Sequence, residues 1–289
     1  MTKTARNNKA YGLPYKGSKN RIAEWVVGVL PENDTLVDLF AGGCAVTHCA
    51  MLSGKFKRVI ANDVNEAPEL FGKALRGGLD TSAFPVTRAE FEESTDLLTR
   101  IVYSYGNDTR SYIYGRERED LRLAGERVIY GGTIEERYAA YLAFMRVLRV
   151  YVADGGALNR DSIRLQGVEN CNRIFSIEGG AAEFLSVRGD YGDLQIPTGA
   201  TVYADPPYKG TTITQYGAGF DYDAFEDWLD AVDFPVFVSE YTCPRGCVEI
   251  AKLDSFSLAD NSNRKRVMER LFVQERFRDF VVTGDVDGE

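Results

Sequence analysis

Short apolar runs alternate with amphipathic stretches along most of the chain, and one long interval interrupts them. The runs Thr35–Phe40, Arg58–Asn62, Phe184–Val187, Val202–Ala204 and Val236–Ser239 predict strands. Their near-continuous apolar character suits parallel strands covered on both faces. Between them, apolar residues three and four apart predict helices over about Asn20–Leu30, Ala45–Ser53, Ala67–Arg76 and Asp223–Val232. In the first, Ile22, Val26, Val29 and Leu30 share a face, Ser18 stands where it can cap the helix, and Pro31 closes it. In the last, Phe225, Trp228, Leu229 and Val232 form the expected inward face. The tail Ser255–Val273 reads as two strands joined by the basic turn Asn261–Lys265. Strands alternating with helices predict an α/β fold around a parallel sheet.

The alternation lapses between Gly77 and about Phe184, an interval too long for a loop in a compact domain. The expected division is one domain from 1–76 plus 183–289 and an inserted, mainly helical domain over 77–182. Within the insertion, Glu90–Arg100 predicts a helix, and the capping box Thr133 with Glu136 opens a long helix to about Val152. Ile134, Tyr138, Tyr141, Leu142, Met145 and Leu148 form its apolar stripe and are expected in the core, with Arg146 and Arg149 on a neighbouring face. Residues 101–116 interleave tyrosines with arginines around Gly106-Asn107-Asp108. That pattern suits stacking on bases and gripping phosphates, or tyrosines packed inward beneath a loop.

Composition narrows the function classes. No apolar run in the 289 residues approaches the roughly 18 needed to cross a bilayer. Met1–Ala10 is polar and basic, without the apolar core of a signal peptide. Cys44, Cys49, Cys171, Cys243 and Cys247 show no zinc spacing, and His48 is the single histidine, so no metal site is expected. Free thiols fit a reducing cytoplasm. A net charge of −9 argues against a generic nucleic-acid binder. The charge is uneven, however. Lys3, Arg6, Lys9, Lys16, Lys19 and Arg21 precede the first acidic residue, Glu24, and Arg264, Lys265, Arg266 and Arg270 cluster near the end. A locally basic cleft on an acidic protein can still bind DNA, with steep salt dependence.

The candidate chemistry sits at predicted strand ends. Val202-Tyr203-Ala204 runs into Asp205-Pro206-Pro207-Tyr208. Two prolines forbid further ladder bonding, so a carboxylate, a fixed carbonyl and an aromatic ring are left at the carboxyl end of a strand. In open α/β sheets that edge is where ligands bind; the plain alternative is an Asp-Pro turn with a packed tyrosine. The strand at Thr35–Phe40 enters Ala41-Gly42-Gly43-Cys44 and then a helix, the arrangement that lets a backbone approach a nucleotide closely. Asp63, about 20 positions on and at the next strand end, can accept both hydroxyls of a ribose. Tyr15-Lys16-Gly17-Ser18-Lys19 puts lysines at a helix start, where a carboxylate can be held, or caps an ordinary surface helix. Lys209–Gly219 is polar and glycine-containing, as in segments that close over a substrate.

These stretches, in this order, resemble the N6-adenine DNA methyltransferases of the permuted alpha class, the Dam-like and phage-type adenine methylases. Tyr15–Lys19 resembles the motif that opens those enzymes, and Asp38-Leu39-Phe40-Ala41-Gly42-Gly43 their methionine-side cofactor loop. Asn62-Asp63-Val64-Asn65 resembles the ribose-anchoring strand end, and Asp205–Tyr208 is their catalytic tetrapeptide unchanged. Arg266-Val267-Met268-Glu269-Arg270 also looks familial. One departure is Cys44, where the family loop commonly has its last glycine; Gly43 is expected to serve instead. The resemblance implies a Rossmann-like S-adenosylmethionine-dependent methyltransferase sheet, with the insertion as target-recognition domain. It implies that Tyr15, Lys19, Asp38, Phe40, Gly42, Gly43, Asp63, Asp190 and Asp205 hold S-adenosyl-L-methionine, Lys19 near its carboxylate, Asp63 at the ribose and Asp190 near its adenine. It also implies that Asp205, Pro206, Pro207 and Tyr208 act on an adenine flipped out of double-stranded DNA. Arg110, Arg116, Lys16, Arg264 and Lys265 are the candidate DNA contacts. Other acceptors (cytosine N4, an RNA base, a protein amide) and a DNA-binding protein with a decayed cofactor site remain as alternatives. The sequence does not choose between an enzyme acting alone and one paired with a restriction endonuclease.

Overall fold

The computed structural model describes residues 10–209, 219–260 and 263–280, without the side chains of 255–260, 263–266 and 280. These residues form two compact units. The first comprises the described parts of 1–12, 19–72 and 179–289, and the second comprises 13–18 and 73–178.

The first unit is built on a seven-stranded sheet. Its strands are β1 (Thr35–Asp38), β2 (Arg58–Asp63), β3 (Glu183–Arg188), β4 (Thr201–Ala204), β5 (Val236–Glu240), β6 (Cys247–Asp260) and β7 (Asn263–Gln274). They lie in the order β3-β2-β1-β4-β5-β7-β6. The first five strands in that order are parallel, and β7 then pairs antiparallel with both β5 and β6. Every residue of β4 and β5 is buried, as expected for strands covered on both faces. Val37, Leu39, Val202, Ala204, Phe225, Leu229, Val236 and Val238 meet in one cluster. Each fully buried valine or leucine there contributes about 1.5–3 kcal/mol. The helices are α1 (Ala23–Val29), α2 (Ala45–Ser53) and α3 (Ala67–Leu75), then α4 (Arg88–Glu93), α5 (Leu97–Val102), α6 (Glu119–Tyr130), α7 (Ile134–Ala153), α8 (Arg160–Ile163) and α9 (Gln166–Phe175), and finally α10 (Tyr222–Ala231).

From β1 the chain passes to β2 on one side, and later to β4 and β5 on the other. The strand order therefore reverses between β1 and β4, and their carboxyl ends open a crevice at the switch point. Asp38 ends β1 and Asp205 follows β4.

The structure corrects the sequence reading in several places. The helix expected over 20–30 is shorter: the chain makes a single 3-10 turn at Lys19–Arg21, and α1 begins only at Ala23, with Ile22 at its N-cap. The helix expected over 90–100 is two helices, because Ser94 is extended and Asp96 caps α5 through the Thr99 N–H. β6 begins at Cys247, well before Ser255, and the turn residues 261–262 lie outside the described residues.

The second unit is helical from α4 to α9, with one isolated bridge, Ser104 to Tyr112. Tyr103 and Tyr114 are buried, not presented for stacking on bases. The cause is Glu126, itself buried on α6. It accepts from the Tyr103 hydroxyl at 2.8 Å and from the Tyr114 hydroxyl, which in turn accepts the Gly167 N–H. Tyr112 is also held, its hydroxyl on Val86 O and its ring under Arg88. The Thr133–Glu136 capping box on α7 is present, but the stripe expected in the core is not buried: Ile134 and Tyr138 are 82% and 62% exposed. No residue of α7 is fully buried; its half-buried residues are Ala140, Phe144, Val147 and Tyr151, with Met145 and Leu148 from the far end of the expected stripe.

Candidate active site

Four turns at the carboxyl ends of β1, β2, β3 and β4 build the site in the first unit. After β1, Gly42 is left-handed (φ 46°), and so is Cys44 (φ 61°), the N-cap of α2. Cys44 thus adopts the backbone that the family's glycine favours, at a cost of about 1–2 kcal/mol for a side chain there. Gly43 does not take over that role; its carbonyl instead lies against Gly12. Gly12 (φ 65°) approaches so closely that a Cβ would stand 2.2 Å from Gly43 O, and its N–H donates to His48 Nδ1 at 3.0 Å. The single histidine is therefore a buried strut behind the glycine turn.

Asp63, at the end of β2, braces the same turn. One carboxylate oxygen accepts the Gly42 N–H at 2.8 Å, and the other accepts the Asn65 N–H at 3.1 Å. Burial raises its pKa, against the pull of those N–H groups. Asn62 donates to both Leu39 O and Gly189 O, so the ends of β1 and β2 and the turn after β3 are tied together. That turn carries Asp190, which caps it through the Gly192 N–H. Beside it Phe40 and Tyr191 pack at 5.2 Å, joined by Phe220, Phe225 and Trp228.

Asp38 is buried at the end of β1. Its Oδ2 accepts the Thr47 hydroxyl at 2.8 Å, while its Oδ1 has no partner among the described residues. Burial, with Asp205 and Asp63 adding repulsion, pushes it up to about 7. An unpartnered buried acceptor is costly unless a ligand completes it.

Asp205 pairs with Lys19, Nζ to Oδ1 2.9 Å. The same ammonium lies 4.3 Å from the centre of the Tyr208 ring. Behind the ring, the Tyr208 hydroxyl donates to Glu269 at 3.2 Å, and Tyr241 meets it edge-on at 4.4 Å. Glu240 accepts the Lys209 N–H at 3.0 Å and the Tyr241 N–H at 2.7 Å, so one carboxylate clamps the tetrapeptide's exit to the end of β5. Burial raises the pKa of Asp205, Glu240 and Glu269, and Lys19 opposes that shift at Asp205 and Glu269.

Thus Asp38, Gly42, Asp63, Asp190 and Asp205–Tyr208 lie at the strand ends and turns of one sheet edge, and Lys19, on the 3-10 turn before α1, meets that edge at Asp205. Tyr15 and Lys16 lie in the second unit, where Lys16 N–H donates to Asn107 O beside the Arg110 turn. Arg110 and Arg116 are exposed there. Arg264 and Lys265 are on β7, their side chains outside the described residues, as are residues 210–218 of the polar segment expected to close over a substrate. The sequence reading missed Glu240 and Glu269 as partners of the tetrapeptide. One signal was available: Val267, Glu269, Leu271 and Val273 alternate along one strand face, and a carboxylate among apolar residues invites a partner.

No helix of eighteen or more described residues is apolar enough to cross a membrane. Among the described residues no group of three or more His, Cys, Asp or Glu could hold a metal ion. No curated protein matches the chain. Similar solved structures include a protein described as an RNA methyltransferase, PH1948, from Pyrococcus horikoshii, at 11% identity and a TM-score of 0.36, covering 90% of this chain and 83% of that one. An rRNA methylase from Streptococcus thermophilus has 10% identity and a TM-score of 0.29, covering 90% and 97%. At those scores neither informs the chemistry. The profile of the D12 class N6 adenine-specific DNA methyltransferases matches residues 15–150, a span holding both the glycine turn and Asp63. Over those residues, and in an α/β sheet whose switch point carries an intact Asp-Pro-Pro-Tyr, the chain is similar to the D12 class N6 adenine-specific DNA methyltransferases.

Proposed function

We propose that the carboxyl edge of β1 and β4 holds S-adenosyl-L-methionine beside an adenine flipped out of double-stranded DNA, and that the second unit is the target-recognition domain. The donor supplies a methyl group already made electrophilic by its sulfonium. The residues present fit such a ligand. The unpartnered Asp38 Oδ1 is an acceptor suited to an ammonium, and we assign Asp63 to the ribose and Lys19 to the carboxylate. Phe40, Gly42, Gly43 and Asp190 lie on the same turns.

The observation that carries the reading is the pair of contacts made by Lys19. Its ammonium lies 2.9 Å from Asp205 Oδ1 and 4.3 Å from the centre of the Tyr208 ring. An adenine amino group donating to Asp205, with its ring stacked on Tyr208, needs the same two contacts, so the entering base displaces the ammonium. The N6 lone pair is delocalised into the ring. Accepting its protons at Asp205 and the Pro206 carbonyl draws the nitrogen toward tetrahedral geometry, and Pro207 fixes the backbone between these groups and Tyr208. Stacking contributes about 1–3 kcal/mol. Placement for in-line attack contributes roughly 7–11 kcal/mol. The base must leave the duplex because its reactive atom is otherwise out of reach.

The test is transfer of a labelled methyl group from S-adenosylmethionine to unmethylated DNA, RNA and protein. Label in adenine N6 of DNA is the expected result, and label only in RNA or protein rejects the reading. Long-read sequencing of DNA from expressing cells then gives the recognised word. Asp63→Ala should weaken donor binding, measured by calorimetry, by about 1.5–3 kcal/mol. An unchanged dissociation constant would show that Asp63 only braces Gly42.

Arg110 and Arg116 are the proposed contacts to DNA, with Lys16 beside them. Their segment is stiff. Asn107 and Thr109 are both left-handed, and Asp108 accepts the N–H groups of Arg110 and Ser111. Arg110→Ala and Arg116→Ala should each weaken methylation in one of two ways. A base-reading arginine costs about 1–3 kcal/mol at one position of the site; a phosphate-holding one lowers the salt slope by about one for all sequences. Methylation of cognate and altered sites at several salt concentrations tells these apart, and no change in either means the segment is structural.

A further inference from the structure

Helix α7 is apolar on two sides, and only one of them is used within the second unit. Phe144 reaches α6 at Gly125, where an added Cβ would lie 3.4 Å from its ring. The other side carries Ile134, Tyr138, Tyr141 and Leu142, exposed by 82%, 62%, 46% and 40%. Met145 and Val152 continue that stripe at the three- and four-residue spacing of one helix face. The helix has 20 residues, so it is about 30 Å long. An exposed apolar stripe of that length marks a contact surface.

Its charges say what covers it. From Tyr138 to Met145 the helix carries no charged residue, so the middle of the stripe offers nothing to phosphate. Glu135 and Arg149 edge the stripe on the same side, and both are exposed with no ion pair among the described residues. Leu142 lies midway, seven residues from each. A second copy of the helix laid antiparallel with Leu142 opposite Leu142 brings each Glu135 against the other copy's Arg149. Two-fold symmetry makes the contact twice. We propose that the exposed face of α7 is the interface of a homodimer in this antiparallel register. The stripe's tyrosines, Leu142 and Met145 fill its centre, and two Glu135–Arg149 pairs set its register.

Sedimentation equilibrium of the full chain, from dilute to concentrated, tests this. The mass should rise from 32.2 kDa to twice that value. Tyr138→Glu should hold it at the monomer value with an unchanged circular dichroism spectrum. Glu135→Arg or Arg149→Glu alone should weaken association by about tenfold, and the two together should restore it. A monomer at every concentration overturns the proposal. So does a dimer indifferent to these changes, which would place the interface elsewhere. A monomeric protein whose DNA affinity falls in Tyr138→Glu overturns it in favour of a DNA contact.

Discussion

Replacing Asp205 with alanine is expected to lower methyl transfer by about a hundredfold to a thousandfold, the loss typical of a positioned polar partner of the reacting group. The fold should survive. Lys19 loses its partner but keeps the attraction of Glu269, and the site itself disfavours a charge at position 205. Asp205→Asn retains one acceptor without the charge and should fall between the wild type and the alanine variant. The same residue sets a pH dependence. Hydrogen bonds from the adenine amino group need the ionised carboxylate. Burial raises its pKa, so activity should fall with decreasing pH on a limb above the ordinary carboxylate range. The measurement is kcat/KM on unmethylated plasmid DNA across pH, with thermal melting of each variant. Near-normal turnover in Asp205→Ala would sink the mechanism.

The second large effect is expected at Gly12, outside every motif. Alanine there must hold φ near 65° and place its Cβ against Gly43 O, Cys44 C and Ala45 N, all backbone atoms closer than 3 Å. Backbone cannot step aside as a flexible side chain can, so the cost should be about 3 kcal/mol or more. For a chain of this size that lowers the melting temperature by about 6–12 °C. The displaced atoms form the glycine turn, so donor binding should weaken as well. An unchanged melting temperature and donor affinity would mean that the turn tolerates displacement.

Much of the candidate edge was legible because its residues are close together in sequence. The strand, the glycine turn and α2 were read at nearly their observed bounds, since a buried run, a turn residue and a helical period follow one another within 20 residues. Asp205 stands where two prolines must end a strand. Other features depend on partners far along the chain. Tyr103 and Tyr114 turn inward because a carboxylate on α6, a helix not anticipated from the pattern, supplies their acceptor. Periodicity found the apolar residues of α7 but not which face packs, because the 140–144–147–151 set is as apolar as the 134–138–141–145 set. Glu269 reaches Tyr208 only because β7 inserts antiparallel beside β5, a pairing that no local signal encodes.

The position of β4 beside β1 also bears on how the protein is made. Residues 39–200 are synthesised between these two sheet neighbours. At about 5–20 residues per second, the nascent chain carries β1 with that edge unpaired for about 10–30 seconds. Leu36 and Val37 lack their partners Thr201 and Val202 throughout that interval. The second unit, with its own contacts complete by residue 178, can fold in that interval, and the β1–β4 edge can form only once β4 has emerged.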